Sequence, residues 1–278
     1  MLFALKLRLL PLTLITMPGI VRVGHIRVSV FGFIAAVGLI AAIWLSQYTA
    51  RPAGVAPQKL WDAGIFIVLA AFVLSRILLI AQDPSAFLHY PLLVISLPSL
   101  TYTGIALTAI ATLLYLRLVK LPLLATLDAW TPPAALLSAV LCLAHFIEGT
   151  DAGLPTTLPW GVLTPGDTIL GRVHPVQIYL LLAATLIGLD AYRLLKRPHS
   201  TGLVAARALL VGGIAFYLLD MLAQPADTNG AALLDPGQYI ALGGVAIGCS
   251  LLITLLPTHT RAASLSNTIA QPTTKEHA

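Results

Sequence analysis

Apolar runs of roughly twenty residues recur along this chain, divided by short stretches that hold most of its charge. A helix needs about 20 predominantly apolar residues to cross the hydrocarbon of a bilayer, so each long run predicts one crossing. Such runs cover 28–48, 60–80, 97–116, 133–147, 176–194, 203–222 and 238–256, and the fourth is a little short. Trp130, Pro132 and Pro133 read as its start, because tryptophan favours the membrane–water interface and proline the first turn of a helix. Residues 87–96 are apolar but too few to cross. With Pro91 and Pro98 on either side they read as a half-helix or interfacial segment ahead of the third crossing. The predicted fold is an all-α integral membrane protein, a bundle of seven transmembrane helices, without internal repeat or second domain.

The pattern divides the chain into three parts. Residues 1–26 mix apolar positions with Lys6, Arg8 and Arg22. A signal peptide would need a better small-residue cleavage site, so this part reads as an amphipathic arm lying in the interface. Residues 27–257 form the seven-helix domain. Residues 258–278, rich in Thr, Ala, Ser and Gln, read as a disordered tail.

Composition narrows the class and charge orients it. Of 278 residues, 58% are hydrophobic and 10% charged, and the mean hydropathy is +0.91. That excludes a soluble globular domain. The net charge of +5 reads as loops facing anionic lipid, so the bilayer is the expected partner and nucleic acid is not. Arg51 and Lys59 follow the first crossing, Arg117 and Lys120 the third, Arg193, Lys196 and Arg197 the fifth, and Arg261 and Lys275 the last. The alternate loops hold Asp83, Asp151, Asp167, Asp227 and Asp235. The positive-inside rule then puts the N-terminus outside and the C-terminus and tail in the cytoplasm, with Lys6, Arg8, Arg22 and Arg27 opposing. Cys142 and Cys249 lie in apolar runs without metal-ligand spacing, so neither metal nor cofactor is expected.

The two longest internal polar loops, 149–172 and 224–237, both face outside, which is where chemistry is expected. Arg172, His174, Gln177 and Tyr179 fall close together at the start of the fifth crossing, with His174 opening a helix and Pro175 in its first turn. They form a set able to grip a phosphate, or equally an interfacial anchor with a capped helix start. Arg76 sits within the second crossing, where a cation faces protein or water and has a partner. Asp128, Glu148, Asp151 and Asp220 are the candidates, and a structural ion pair and a lipid-phosphate ligand are both open. His145 and Glu148 at the end of the fourth crossing, with Asp220 at the end of the sixth, offer proton acceptors or ordinary helix-end polarity. Gly212-Gly213 and Gly243-Gly244 permit close helix approach.

The segment Pro159-Trp160, followed by Arg172 and His174-Pro175-Val176-Gln177-Ile178-Tyr179, resembles a motif of the bacterial prolipoprotein diacylglyceryl transferases. In that family a proline–tryptophan loop leads into His-Pro-x-Gln-x-Tyr. Ile26-Arg27-Val28-Ser29-Val30-Phe31-Gly32 resembles its opening Ile-Arg-Trp-Tyr-Gly. Arg76, Lys120-Leu121-Pro122 with Asp128, the glycines 149 and 153, and Gly237-Gln238 follow in the family's order. The resemblance runs from about Val23 to Leu256 and implies seven crossings in the bacterial inner membrane. The implied activity transfers diacylglyceryl from phosphatidylglycerol to the lipobox cysteine thiol of a prolipoprotein signal peptide, releasing glycerol phosphate. It casts Arg76, Arg172, His174, Gln177, Tyr179 and Trp160 as substrate-binding and His145, Glu148 and Asp220 as proton-handling.

Several family positions differ. A His-Gly-Gly segment reads Thr101-Tyr102-Thr103-Gly104 here. The pattern Gly-Arg-x-Gly-Asn-Phe-x-Asn-Gly reads Leu141-Cys142-Leu143-Ala144-His145-Phe146-Ile147-Glu148-Gly149. Arg-Phe-x-x-Glu-x-x-Arg reads Phe216-Tyr217-Leu218-Leu219-Asp220-Met221-Leu222-Ala223. These changes carry the alternative reading, a catalytically degenerate paralogue that binds phospholipid or lipoprotein precursors without turnover. A small-solute transporter would need repeats and paired broken helices that the chain lacks.

Overall fold

The computed structural model describes residues 20–23, 26–89, 101–149, 153–163, 171–224 and 234–255. The helices are α1 Val30–Ala50, α2 Pro57–Gln82, α3 Pro84–His89, α4 Tyr102–Leu118, α5 Leu123–Glu148, α6 Val176–Leu195, α7 Leu203–Asp220 and α8 Pro236–Leu255. All but α3 and α4 have the length and apolarity to cross a membrane, and α4 follows at 17 residues. The chain is a helical multi-pass membrane protein. Two antiparallel ribbons complete the described fold. Strands β1 (Ile20–Val23) and β2 (Ile26–Ser29) pair from Ile20↔Ser29 to Val23↔Ile26 just ahead of α1. Strands β3 (Val162–Leu163) and β4 (Arg172–Val173) pair Val162 with Val173. The expected arm ends in the first ribbon, its residues 1–19 lie outside the described residues, and so does the tail.

Local chemistry sets the helix starts. Ser29 caps α1 by accepting the Gly32 amide at 3.2 Å, and Thr101 caps α4 by accepting that of Gly104 at 3.2 Å. Pro57 opens α2 in the first turn. The fourth crossing departs from expectation. It does not start at Pro133: α5 begins at Leu123 behind Pro122 and carries Pro132 and Pro133 inside it. Proline inside a helix removes amide donors, and in membrane helices neighbouring groups make up for them. Thr131 Oγ1 donates to the Leu127 carbonyl at 2.8 Å one turn before the prolines. Trp130 therefore lies along a helix rather than at its start.

Packing runs in a row: α4 on α2, α2 on α1, α1 on α5, α5 on α6, α6 on α7, and α7 on α8, with α7 also touching α5. The spine is the α1–α5 pair, and the two wings are α2–α4 and α6–α7–α8. Small residues let the helices close. A Cβ at Gly213 would meet the Ala241 carbonyl oxygen at 2.7 Å, and one at Gly248 would meet the Leu210 nitrogen at 2.7 Å. Without a hydrophobic drive inside lipid, such backbone approach is what holds α7 to α8.

The best-buried part lies at one end, where α1 turns into α2, α4 into α5 and α6 into α7. Ala50, Leu60, Ala63, Leu116, Ala125 and Ala129 pack there, beside Ala191, Leu195 and Val204. At its centre Asp128, 1% exposed, reaches from α5 to the start of α7. Its carboxylate accepts the Gly202 amide at 2.5 Å and the Ala205 amide at 2.8 Å, with His199 Nε2 at 3.8 Å. Gly202, at φ 96°, has no side chain with which to cap its own helix. Asp128 supplies that cap from another helix, with a charge suited to the positive end of the α7 dipole. The sequence reading of Asp128 as an ion-pair candidate for Arg76 is corrected by this: the carboxylate serves the far end of the bundle.

Between α6 and α7 a cavity of about 210 Å³ is lined by Ile187, Ala191, Val204 and Ala208. Arg207 crosses it to Asp190, with Nε–Oδ2 at 3.0 Å. A second, apolar cavity of about 260 Å³ lies among α1, α5 and α6 beside Pro132 and Gly188. Both sit toward the Asp128 end.

Candidate functional site

The opposite end is built from the polar loop that precedes α6. Gly153 pairs with Ala223, and the Leu154 amide donates to the Leu222 carbonyl at 2.8 Å, which ties the loop to the end of α7. The same stretch then lies along β4. The Thr156 amide donates to the Arg172 carbonyl at 2.8 Å, and the His174 amide to the Leu154 carbonyl at 3.0 Å. Gly153 has to be glycine for this crossing, since a Cβ there would run into the His174 carbonyl and come within 2.9 Å of the His174 Cβ. Backbone pairing thus brings the end of α7, which carries Asp220, to the same segment as Arg172 and His174, although α7 ends far from them in sequence.

Pro175 is the N-cap of α6 and Val176 its first residue. His174 therefore stands ahead of the helix, on the end of β4, and does not open the first turn as the sequence suggested. Tyr179 follows one turn into α6 and its ring lies 6.2 Å from that of His174, nearly edge-on. Tyr179 Oη is 3.5 Å from His174 Nδ1. Trp160 Nε1 donates to Tyr179 Oη at 2.7 Å, which fixes the proline–tryptophan loop over the start of α6. Arg172 Nη1 donates to the Pro159 carbonyl at 2.9 Å. One edge of its guanidinium clamps that loop, and the exposed side chain keeps further N–H groups for an acceptor. Arg172, His174, Tyr179 and Trp160 form one cluster. Gln177 lies within the first turn of α6 and is partly buried.

The proton-handling candidates lie at the ends of two helices, α5 and α7. His145 is on the spine, its ring 4.7 Å from that of Phe31 at the start of α1. Glu148 is the last residue of α5, before Gly149 turns left-handed at φ 75°. Asp220 ends α7 and faces the Gln238 side chain near the start of α8. Arg76 is buried on α2, six residues before that helix ends, with its guanidinium 5.2 Å from the centre of the Phe72 ring. The α2 wing packs on α1 and the α6 wing on α5. Arg76 and the Arg172 cluster therefore belong to different walls, with His145 on the helix pair between them. Asp151 lies outside the described residues.

Sequence reasoning named Gly153 and Phe31 only as positions of the family resemblance and gave neither a role. A glycine in a loop of prolines and threonines is a signal for close backbone approach, though its partner was unreadable. The arrangement offers a cation, a ring donor or acceptor and two aromatic groups at one end of an apolar bundle. That suits an amphipathic substrate whose anionic part stays at the surface.

Comparison with known proteins agrees. The sequence model of the prolipoprotein diacylglyceryl transferase family matches residues 18–254. A phosphatidylglycerol–prolipoprotein diacylglyceryl transferase of Nostoc sp. is 27% identical over 86% of this chain and 90% of its own. The protein of that name from Nitrosomonas europaea is 27% identical over 84% and 88%. A shorter match, to the one from Cereibacter sphaeroides, reaches 32% identity over 51% of this chain and 50% of that one. With most of its length matched and the family's proline–tryptophan loop seated on its His-Pro-x-Gln-x-Tyr helix start, the chain belongs to the prolipoprotein diacylglyceryl transferase family.

Proposed function

We propose that this protein moves the diacylglyceryl group of phosphatidylglycerol onto the cysteine thiol of a prolipoprotein signal peptide. The reaction takes place at the loop end of a bundle of seven crossings in the bacterial inner membrane. In this reading α4 crosses as well and brings the count to seven, the loop end faces outside with the N-terminus, and the Asp128 end with the C-terminus faces the cytoplasm. The distribution of Lys and Arg supports that orientation: Arg51, Lys59, Arg117, Lys120, Arg193, Lys196 and Arg197 all adjoin the Asp128 end.

The chemistry requires a carbon–sulfur bond to form while the bond from glyceryl carbon to phosphate oxygen breaks. The electron pair leaves on the phosphate, and the thiol proton has to pass to a base. Arg172 serves the phosphate with the guanidinium edge not bound to Pro159, and Arg76 serves it from the α2 wing. Preorganised donors aimed at a leaving oxyanion are commonly the largest catalytic contribution. His174 and Gln177 add further donors, while Trp160 and Tyr179 hold the rim at headgroup depth. His145 on the spine is placed to take the thiol proton, with Glu148 and Asp220 as further acceptors.

The observation that carries this reading is the assembled Arg172–His174–Tyr179–Trp160 cluster in a member of this family. The test is reconstitution in bilayers containing phosphatidylglycerol with a lipobox peptide. Glycerol phosphate should appear in step with a peptide heavier by one diacylglyceryl group. Phosphatidylglycerol that binds but never yields glycerol phosphate would overturn the transferase reading and favour a lipid-binding relative.

A further inference from the structure

The cluster contains a chain of hydrogen bonds whose first link has a fixed direction. An indole N–H is a donor only, so in the 2.7 Å contact Trp160 gives and Tyr179 Oη receives. The phenol has one hydrogen of its own. Among the described residues its one hydrogen-bond contact besides the indole is His174 Nδ1, at 3.5 Å, which receives that hydrogen when it is bare. A neutral imidazole carries a proton on one nitrogen and a lone pair on the other, and the hydrogen bond at one nitrogen sets the state of the other. If Nδ1 receives, Nε2 carries the hydrogen. Among the described residues Nε2 has no hydrogen-bond partner, and the partly buried ring sits at the rim beside Arg172.

We propose that Trp160, acting through Tyr179, locks His174 as the tautomer with bare Nδ1 and protonated Nε2, so that His174 always presents a donor to an anionic phosphodiester headgroup. This rests on the headgroup-binding reading of the cluster and deepens it. Trp160 and Tyr179 become positioning residues, and His174 becomes a neutral donor beside the cationic Arg172. A ring free to exchange tautomers would present a lone pair to the phosphate part of the time, which repels it. Locking the ring removes that penalty before substrate arrives, the same preorganisation that makes fixed donors effective in acyl and phosphoryl sites. It also gives the tryptophan of the proline–tryptophan loop a task in the site, although its ring is 58% exposed.

Nitrogen NMR on ¹⁵N-histidine-labelled protein in phosphatidylglycerol nanodiscs tests this, with His174 assigned by the signal lost in His174→Gln. At a pH where the ring is neutral, the wild-type protein should show a bare, hydrogen-bonded Nδ1 and a protonated Nε2. Tyr179→Phe should move the Nδ1 resonance to that of a nitrogen accepting no hydrogen bond and bring in the other tautomer. Trp160→Phe, which leaves the phenol able to accept from Nδ1, should shift the populations the same way by less. Kinetically, Tyr179→Phe should raise KM for phosphatidylglycerol about twofold, the effect of an evenly divided ring, and Trp160→Phe by less. A protonated Nδ1 in the wild-type protein, or an Nδ1 resonance unmoved in Tyr179→Phe, overturns the proposal. Failure of the transferase reading shows elsewhere, as wild-type protein that releases no glycerol phosphate, and leaves the ring measurement intact.

Discussion

The two ends of this bundle solve opposite problems with the same kinds of residue. At the Asp128 end a buried carboxylate has every visible bond directed at the protein itself, at two amides of α7. At the loop end Arg172 and His174 each give part of their capacity to the fold and keep part open, at the guanidinium edge and at Nε2. The packing follows that division: the buried alanines and leucines gather around Asp128, while the loop end is held by backbone pairing between Gly153, β4 and the end of α7. Satisfied polar groups rigidify, and partly satisfied ones bind.

Substitutions can break or sharpen that contrast. The largest effect is expected from Arg172→Ala, which should lower glycerol phosphate release by about 10² to 10³ with little change in the unfolding midpoint. A parallel loss of stability would show that the loop clamp, not the open edge, is its main role. Next comes Gly153→Ala. Its methyl group displaces the His174 backbone, and since a misplacement of about 1 Å at a reacting site is worth about 10² in rate, release should fall near that far while the bundle still folds.

Asp128→Ala should do the reverse. Leaving the two α7 amides without their acceptor should destabilise the protein by about 1–3 kcal/mol, read as an earlier chemical or thermal midpoint. Activity per folded molecule should hold. Asp128→Asn, which keeps an acceptor oxygen, should lose less, and an unchanged midpoint in both variants would remove Asp128 as the anchor of its end. The smallest effect is expected from Arg207→Ala. Its pair with Asp190 is about half exposed on both sides, and its loss should change stability by less than about 1 kcal/mol. A larger change would mean that α6 and α7 depend on this clasp across their cavity.

The crossings were legible because lipid imposes a length and a composition on each one, and six of the expected runs reappear within a few residues as helices. The fourth was misread for a physical reason. Pro132 and Pro133 lack the amides that a helix interior uses, but α5 runs through both of them while packed against α1, α6 and α7. The motif residues at the loop end were legible as a set, since Arg, His, Gln and Tyr stand out in an apolar chain. Their arrangement was not. The pairing of Gly153 with Ala223 and the reach of Asp128 to Ala205 join residues about seventy positions apart or more, and no local pattern announces a partner at that range. The direction of the Trp160–Tyr179–His174 chain likewise depends on a loop folding back onto a helix.

The Asp128 anchor also sets a schedule for biogenesis. Asp128 is synthesised 77 residues ahead of the Ala205 amide that it accepts. At about 5–20 residues per second, the carboxylate waits about 4–15 s before its acceptor role is filled. During that interval α5 cannot settle with Asp128 sealed in apolar surroundings, because a buried carboxylate without donors is costly. A position near the end of the helix, on the proposed cytoplasmic side, lets the carboxylate wait in water beside the ribosome. The arrival of α7 then closes α5, α6 and α7 together, which makes the last part of this half to be translated the part that commits it to its final packing.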